Sequence, residues 1–99
     1  MMIEVRTTDR FVRWLNDLVD LRARARIQAR IERLAGGNPG DVKPVGEGVS
    51  ELRIDHGPGY RVYFCARGRS IIILLAGGTK ITQARDIRIA LRVARELSE

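Results

Sequence analysis

Three features of the sequence predict an α+β protein: a helical hairpin packed on a small, twisted, mostly antiparallel sheet, in the order β-α-α-β-β-β-α. Apolar residues recur at three- and four-residue spacing through the first third of the chain. Three short alternating or continuously apolar runs, separated by glycine turns, fill the second half, and a last amphipathic segment follows them. No alternating βαβ units occur, so the helices are expected on one face of the sheet. At 99 residues the chain is expected to form one domain, 1–99, around one core.

From Met2 to Thr7, Ile3 and Val5 alternate with Glu4 and Arg6, which predicts a strand. Asp9 then offers an N-cap for a helix over about 9–19, whose buried face is Phe11, Trp14, Leu15 and Leu18. A second helix over about 20–35 presents Ala23, Ile27, Ile31 and Leu34 and stops at Gly36 and Gly37. Asn38 to Gly48, rich in glycine and proline, reads as an ordered loop. Strands are expected over 49–55, 60–67 and 70–76, the last buried on both faces, with turns at His56–Gly59 and Arg67–Arg69. Thr82 would cap a final helix to about residue 97, with Ile87, Ala90, Leu91, Ala94 and Leu97 inward.

Composition narrows the function. Eighteen basic residues against 12 acidic ones leave a net charge of +6, which favours polyanionic partners. All but Lys43 and Lys80 of the basic residues are arginine, the side chain whose planar fork grips phosphate, although a genome rich in arginine codons would produce the same ratio. One cysteine, Cys65, and one histidine, His56, supply too few donors for the usual metal sites, so no cofactor is expected. The charged N-terminus and the lack of a long apolar run predict a cytoplasmic protein that does not engage a membrane.

Two arginine ridges follow from helical spacing. Arg22, Arg26, Arg30 and Arg33 line one side of the second helix, and Arg85, Arg88, Arg92 and Arg95 line the last. The first, with Lys43, is a candidate surface for nucleic-acid phosphate, and Arg85, Arg88 and Arg92 are candidates for binding an acidic partner. Ordinary solvated helix faces would show the same spacing.

Strand parity points to a further site. With Leu52 and Ile54 inward, Glu51 and Arg53 face the other way, as do Arg61, Tyr63 and Cys65 on the next strand. A five-residue connection at 55–59 sets Arg53 opposite Arg61 and Glu51 opposite Tyr63. Two facing arginines repel unless an anion or the nearby carboxylates of Glu51 and Asp55 compensate.

The stretches ELRIDHGPGYRVYF (Glu51–Phe64) and IIILLAGGTK (Ile71–Lys80), together with FVRWLNDL and VKPVGEGVSELRI, resemble the RelE/ParE toxin superfamily, in particular its HigB-like, phage-related addiction module killer branch. That resemblance covers nearly the whole chain. It implies the toxin of a type II toxin-antitoxin pair: an endoribonuclease that cleaves mRNA, free or on the ribosome, and is neutralised by a cognate acidic or helix-turn-helix antitoxin. In such a protein a 2′-hydroxyl attacks the adjacent phosphate, Arg61 stabilises the charge that develops, and Arg53 and Lys80 supply the other basic positions. Two departures leave the acid and base open among Tyr63, His56, Glu51 and Lys80: Glu51 stands where RelE carries a lysine, and no aromatic residue follows Phe64. The same scaffold also serves ParE-like inhibitors of DNA gyrase that lack a catalytic site, and an inactive toxin could persist as antitoxin partner and co-repressor.

Overall fold

A computed structural model describes residues 3–98 of the chain. Strand β1 (Glu4–Thr7) leads into helices α1 (Asp9–Asn16) and α2 (Leu21–Ala35). Strands β2 (Val42–Gly46), β3 (Val49–Ile54), β4 (Tyr60–Arg67) and β5 (Ile71–Thr79) follow, and α3 (Gln83–Leu97) closes the fold. Met2, expected in the first strand, lies outside the described residues.

The five strands form one sheet in the order β1-β5-β4-β3-β2, with β1 parallel to β5 and every other pair antiparallel. Part of the segment expected to be loop is therefore strand β2. Pro44 argues against a central strand, but β2 is an edge strand, where a missing N–H costs no ladder bond, and a register shift falls between Pro44 and Gly46. Glu47 and Gly48 join β2 to β3 with φ of 51° and 79°, the paired positive values of a tight hairpin turn.

Helix starts and ends differ from expectation for local reasons. Thr8, not Asp9, caps α1: its hydroxyl accepts from the Phe11 N–H and donates to the Leu75 carbonyl, which also ties the helix to the sheet. Helix α1 stops at Asn16, three residues short, because Asp20 must be extended to accept from the N–H groups of Arg22 and Ala23 and cap α2. Thr82 precedes α3 without a side-chain cap, its hydroxyl turning instead to the Asp86 carboxylate.

The helices do not share one face. Phe11 of α1 and Ala23, Ile27 and Leu34 of α2 pack with Leu52, Ile54, Val62, Phe64, Ile72 and Leu74. On the opposite side Ala90 and Ala94 of α3 pack with Val49, Tyr63, Cys65, Leu75 and Ala76. Strand β4 buries residues of both parities, so its second face also needs a cover. Helix α3 is that cover. Among the described residues no helix is long and apolar enough to cross a membrane.

Neighbouring glycines on β5 let the two layers approach. A Cβ on Gly77 would overlap the Trp14 ring of α1, and one on Gly78 would overlap the Asp86 carboxylate of α3. Side chains alternate along a strand. Each glycine therefore serves a different face.

Candidate functional site

Strands β3 and β4 pair in the expected register, Arg53 opposite Arg61 and Glu51 opposite Tyr63. Arg61 is also opposite Gly78 of β5. Lys80 follows β5, its N–H donating to the Gly59 carbonyl at 2.8 Å, so the β3–β4 turn and the end of β5 are locked together. Arg53, Arg61 and Lys80 consequently line one hollow of about 480 Å³ with Asp41, Asp55 and Gly57 to Gly59. Three cations face two carboxylates there, an arrangement suited to an anion.

Glu51, Arg61 and Tyr63 are not on an open face, because α3 lies over it. Glu51 and Tyr63 are fully buried, and the Arg61 side chain is only 11% exposed. The Glu51 carboxylate accepts from Arg53 Nε at 3.0 Å and from Gln83 Nε2 at 2.7 Å, and lies 3.6 Å from Arg61 Nε. It therefore holds both arginines from below, while the residues as a whole still border the hollow. Repulsion between Arg53 and Arg61 is offset from within the fold, before any ligand arrives.

The enclosed Tyr63 hydroxyl has no hydrogen-bond partner among the described residues. Burial first, then the carboxylates of Glu51 and Asp86, push its ionisation far above the ordinary phenol range. At neutral pH Tyr63 is a donor, not a base. Asp86, also buried, accepts from Thr82 and lies 3.5 Å from Arg85 Nε. Gln83, Thr82 and Asp86 were absent from the sequence-derived site. The signals that could have revealed them are the paired glycines of β5 and the i, i+4 spacing of Thr82 and Asp86.

His56 lies elsewhere. Its Nε2 is 3.5 Å from an Asp20 carboxylate oxygen and its ring stacks near Tyr60, 6.5 Å between centroids, so it links the β3–β4 turn to the start of α2. Asp20 is held below the usual carboxylate range chiefly by the Ala23 N–H, with His56 contributing. Cys65 is buried under α3, and burial raises its thiol pKa, which disfavours the reactive thiolate.

The ridges divide similarly. Arg22, Arg26 and Arg33 are exposed and form no ion pair among the described residues. Arg30 is diverted inward, donating to the carbonyls of Arg53 and Pro39, so it clamps α2 to the sheet instead of extending a free basic surface. Lys43 is exposed on edge strand β2 across from Glu51. On α3, Arg88 is exposed without an ion pair, Arg92 lies 3.8 Å from Glu96, and Arg95 is bound by Glu47 through two contacts at 2.6 and 2.9 Å.

Residues 13–96 match the family described as phage derived protein Gp49-like (DUF891). The chain belongs to this Gp49-like family. It is 52% identical over 97 residues to an uncharacterized protein of Haemophilus influenzae, with 98% of each sequence covered. Its fold is that of a double-arginine mutant of the E. coli toxin RelE in the free state, with a TM-score of 0.73 over 93% of this chain and 97% of that one. Sequence identity in that pair is 14%, so the shared property is the fold. The chain is thus a Gp49-like family member with a RelE-like fold.

Proposed function

We propose that this Gp49-like protein is the toxin of a type II toxin-antitoxin pair and acts as a cytoplasmic endoribonuclease on mRNA, free or ribosome-bound. The observation that carries the reading is the meeting of Arg53, Arg61 and Lys80 around one hollow. In the reaction, the ribose 2′-oxygen attacks the adjacent phosphorus, the bond to the 5′-oxygen breaks, and a 2′,3′-cyclic phosphate and a 5′-hydroxyl result. The proton lost from the 2′-oxygen must be accepted and one must reach the leaving 5′-oxygen. Negative charge builds on the phosphoryl oxygens between these events. Cations held in place by Glu51 meet that charge without reorganising, and one such contact contributes roughly 3 to 4 kcal/mol.

Glu51 acts here as the positioning residue of the two arginines, and Lys80 is the exposed cation free to approach the substrate. Exposed Arg22, Arg26, Arg33 and Lys43 would add affinity for RNA. The α3 ridge, above all unpaired Arg88, would meet an acidic or helix-turn-helix antitoxin.

One observation favours a second reading. Arg61 is mostly covered, and its charge is already offset by Glu51, as suits a scaffold that binds DNA gyrase or an antitoxin without catalysis. RNA cleavage with and without ribosomes, run beside a gyrase supercoiling assay, separates the two. Arg61→Ala should lower cleavage about 100-fold or more while affinity for RNA changes much less. Because Glu51 loses a partner in this variant, its melting must be recorded at the assay temperature. A folded Arg61→Ala protein that cleaves at the parent rate removes the proposed active site.

A further inference from the structure

Two basic depressions are joined by the segment from Lys80 to Arg85. On one side is the hollow of Arg53, Arg61 and Lys80. On the other, a cleft of about 450 Å³ opens between α1 and α3, walled by Arg10 and Arg13 of α1 and Arg85 of α3. Its floor is Ala76 and Gly77 of β5. Strand β1 pairs with β5 only from Ile71 to Leu74, so among the described residues no strand covers that floor on the edge away from β4.

Arg10 and Arg13 are exposed, less than one turn apart, and form no ion pair among the described residues. Like charges at this spacing repel across the helix surface. Asp86, the acid in the cleft, is buried and engaged by Thr82 and Arg85, so it does not neutralise them. Between the two depressions the chain runs from Lys80 to Arg85, and Ile81, next to Lys80, is 87% exposed. A large exposed apolar side chain on the segment that joins two cationic sites matches a ligand that alternates anionic groups with flat apolar ones. Single-stranded RNA has that alternation.

We infer that the α1/α3 cleft is a second phosphate subsite, and that an RNA strand runs from the Arg53/Arg61/Lys80 hollow across Ile81 into it, resting a base on Ile81. The inference depends on the reading of the first hollow as an RNA site. An acidic peptide would suit the cleft alone. It would not account for an exposed isoleucine between the cleft and a second cationic site.

The test is fluorescence anisotropy with 2′-O-methyl oligonucleotides, which bind but lack the attacking hydroxyl. The parent protein should bind an octanucleotide at least about tenfold more tightly than a dinucleotide. Arg10→Gln with Arg13→Gln should abolish that gain and flatten the dependence of log K on log salt by about 0.7 for each phosphate lost. Ile81→Ser should lower octanucleotide affinity several-fold with the salt slope unchanged. All three positions are exposed, and thermal melting checks that each variant folds. An unchanged octanucleotide affinity and slope in the double arginine variant overturns the subsite while leaving the first hollow intact. An unaltered Ile81→Ser overturns the path. A parent that binds neither oligonucleotide removes the underlying RNA reading as well, and a polyglutamate peptide that depends on Arg10 and Arg13 where the octanucleotide does not assigns the cleft to an acidic protein.

Discussion

The two faces of the sheet are both buried, yet they are built from different chemistry. Beneath α1 and α2 the packing is aliphatic and aromatic, with Leu52 and Val62 fully enclosed. Beneath α3 the same strands bury Glu51 and Tyr63, with Asp86 close by, and leave the Arg61 side chain mostly covered. The first face needs only shape and volume. The second buries Glu51 against Arg53 of its own strand, Arg61 of β4 and Gln83 of α3, so a change there also alters the groups around the hollow.

Adjacent residues of β3 give the sharpest comparison. Leu52 and Glu51 are both fully buried, on opposite faces. Leu52→Ala should destabilise the protein by about 3 to 4 kcal/mol through lost transfer energy and a cavity, measured by urea unfolding, with any RNA binding of the folded fraction unchanged. Glu51→Ala should cost about 3 kcal/mol because Arg61 is left covered and unpaired. It should also disturb phosphate or RNA binding in the fraction that remains folded. Equal loss of binding per folded molecule in both variants would erase the distinction between the faces.

The paired glycines test the same contrast at smaller cost. Gly77→Ala pushes against the Trp14 ring and should destabilise by about 1 to 3 kcal/mol, the range of an overpacked core. Gly78→Ala displaces the Asp86 carboxylate instead. Its signature should be faster amide exchange in the first turns of α3, read by hydrogen-exchange mass spectrometry, while α1 keeps its protection. Loss of protection in α1 would contradict the separation.

The smallest effect is expected at Tyr63. Its hydroxyl is buried without a partner, so Tyr63→Phe should change stability at neutral pH by less than about 1 kcal/mol, or raise it. A pH effect follows from the raised ionisation. Above about pH 10 the unfolded chain releases the Tyr63 proton while the folded protein keeps it. The unfolded state then binds fewer protons, and stability falls as pH rises. Tyr63→Phe should reduce this alkaline loss, and identical pH profiles of melting for the two proteins would show that Tyr63 ionises normally.

Legibility differed by element. The facing of Arg53 and Arg61 could be read because strand parity and a five-residue connection leave one register, and the structure has that register. Strand β2 was hidden because Pro44 contradicts a strand unless its edge position is known. Arg30 spaced as part of a ridge but was captured by the carbonyls of Arg53 and Pro39, and nothing in helical periodicity reveals a backbone acceptor on another element.

The α+β class, three of the four strands after the helices, the apolar helix faces and the basic character were set by local pattern, since each depends on residues a few positions apart. Which side of the sheet α3 covers was decided only by tertiary packing. Amphipathicity says that a helix has a face to bury and does not say against what. That choice turned an expected open arginine face into a partly enclosed site, where Gln83 reaches Glu51 across 32 positions of sequence and holds the carboxylate beneath Arg53 and Arg61. Burying a charge costs little only when its partners arrive with it, and one of those partners, Gln83, came from a helix whose position the local pattern does not encode.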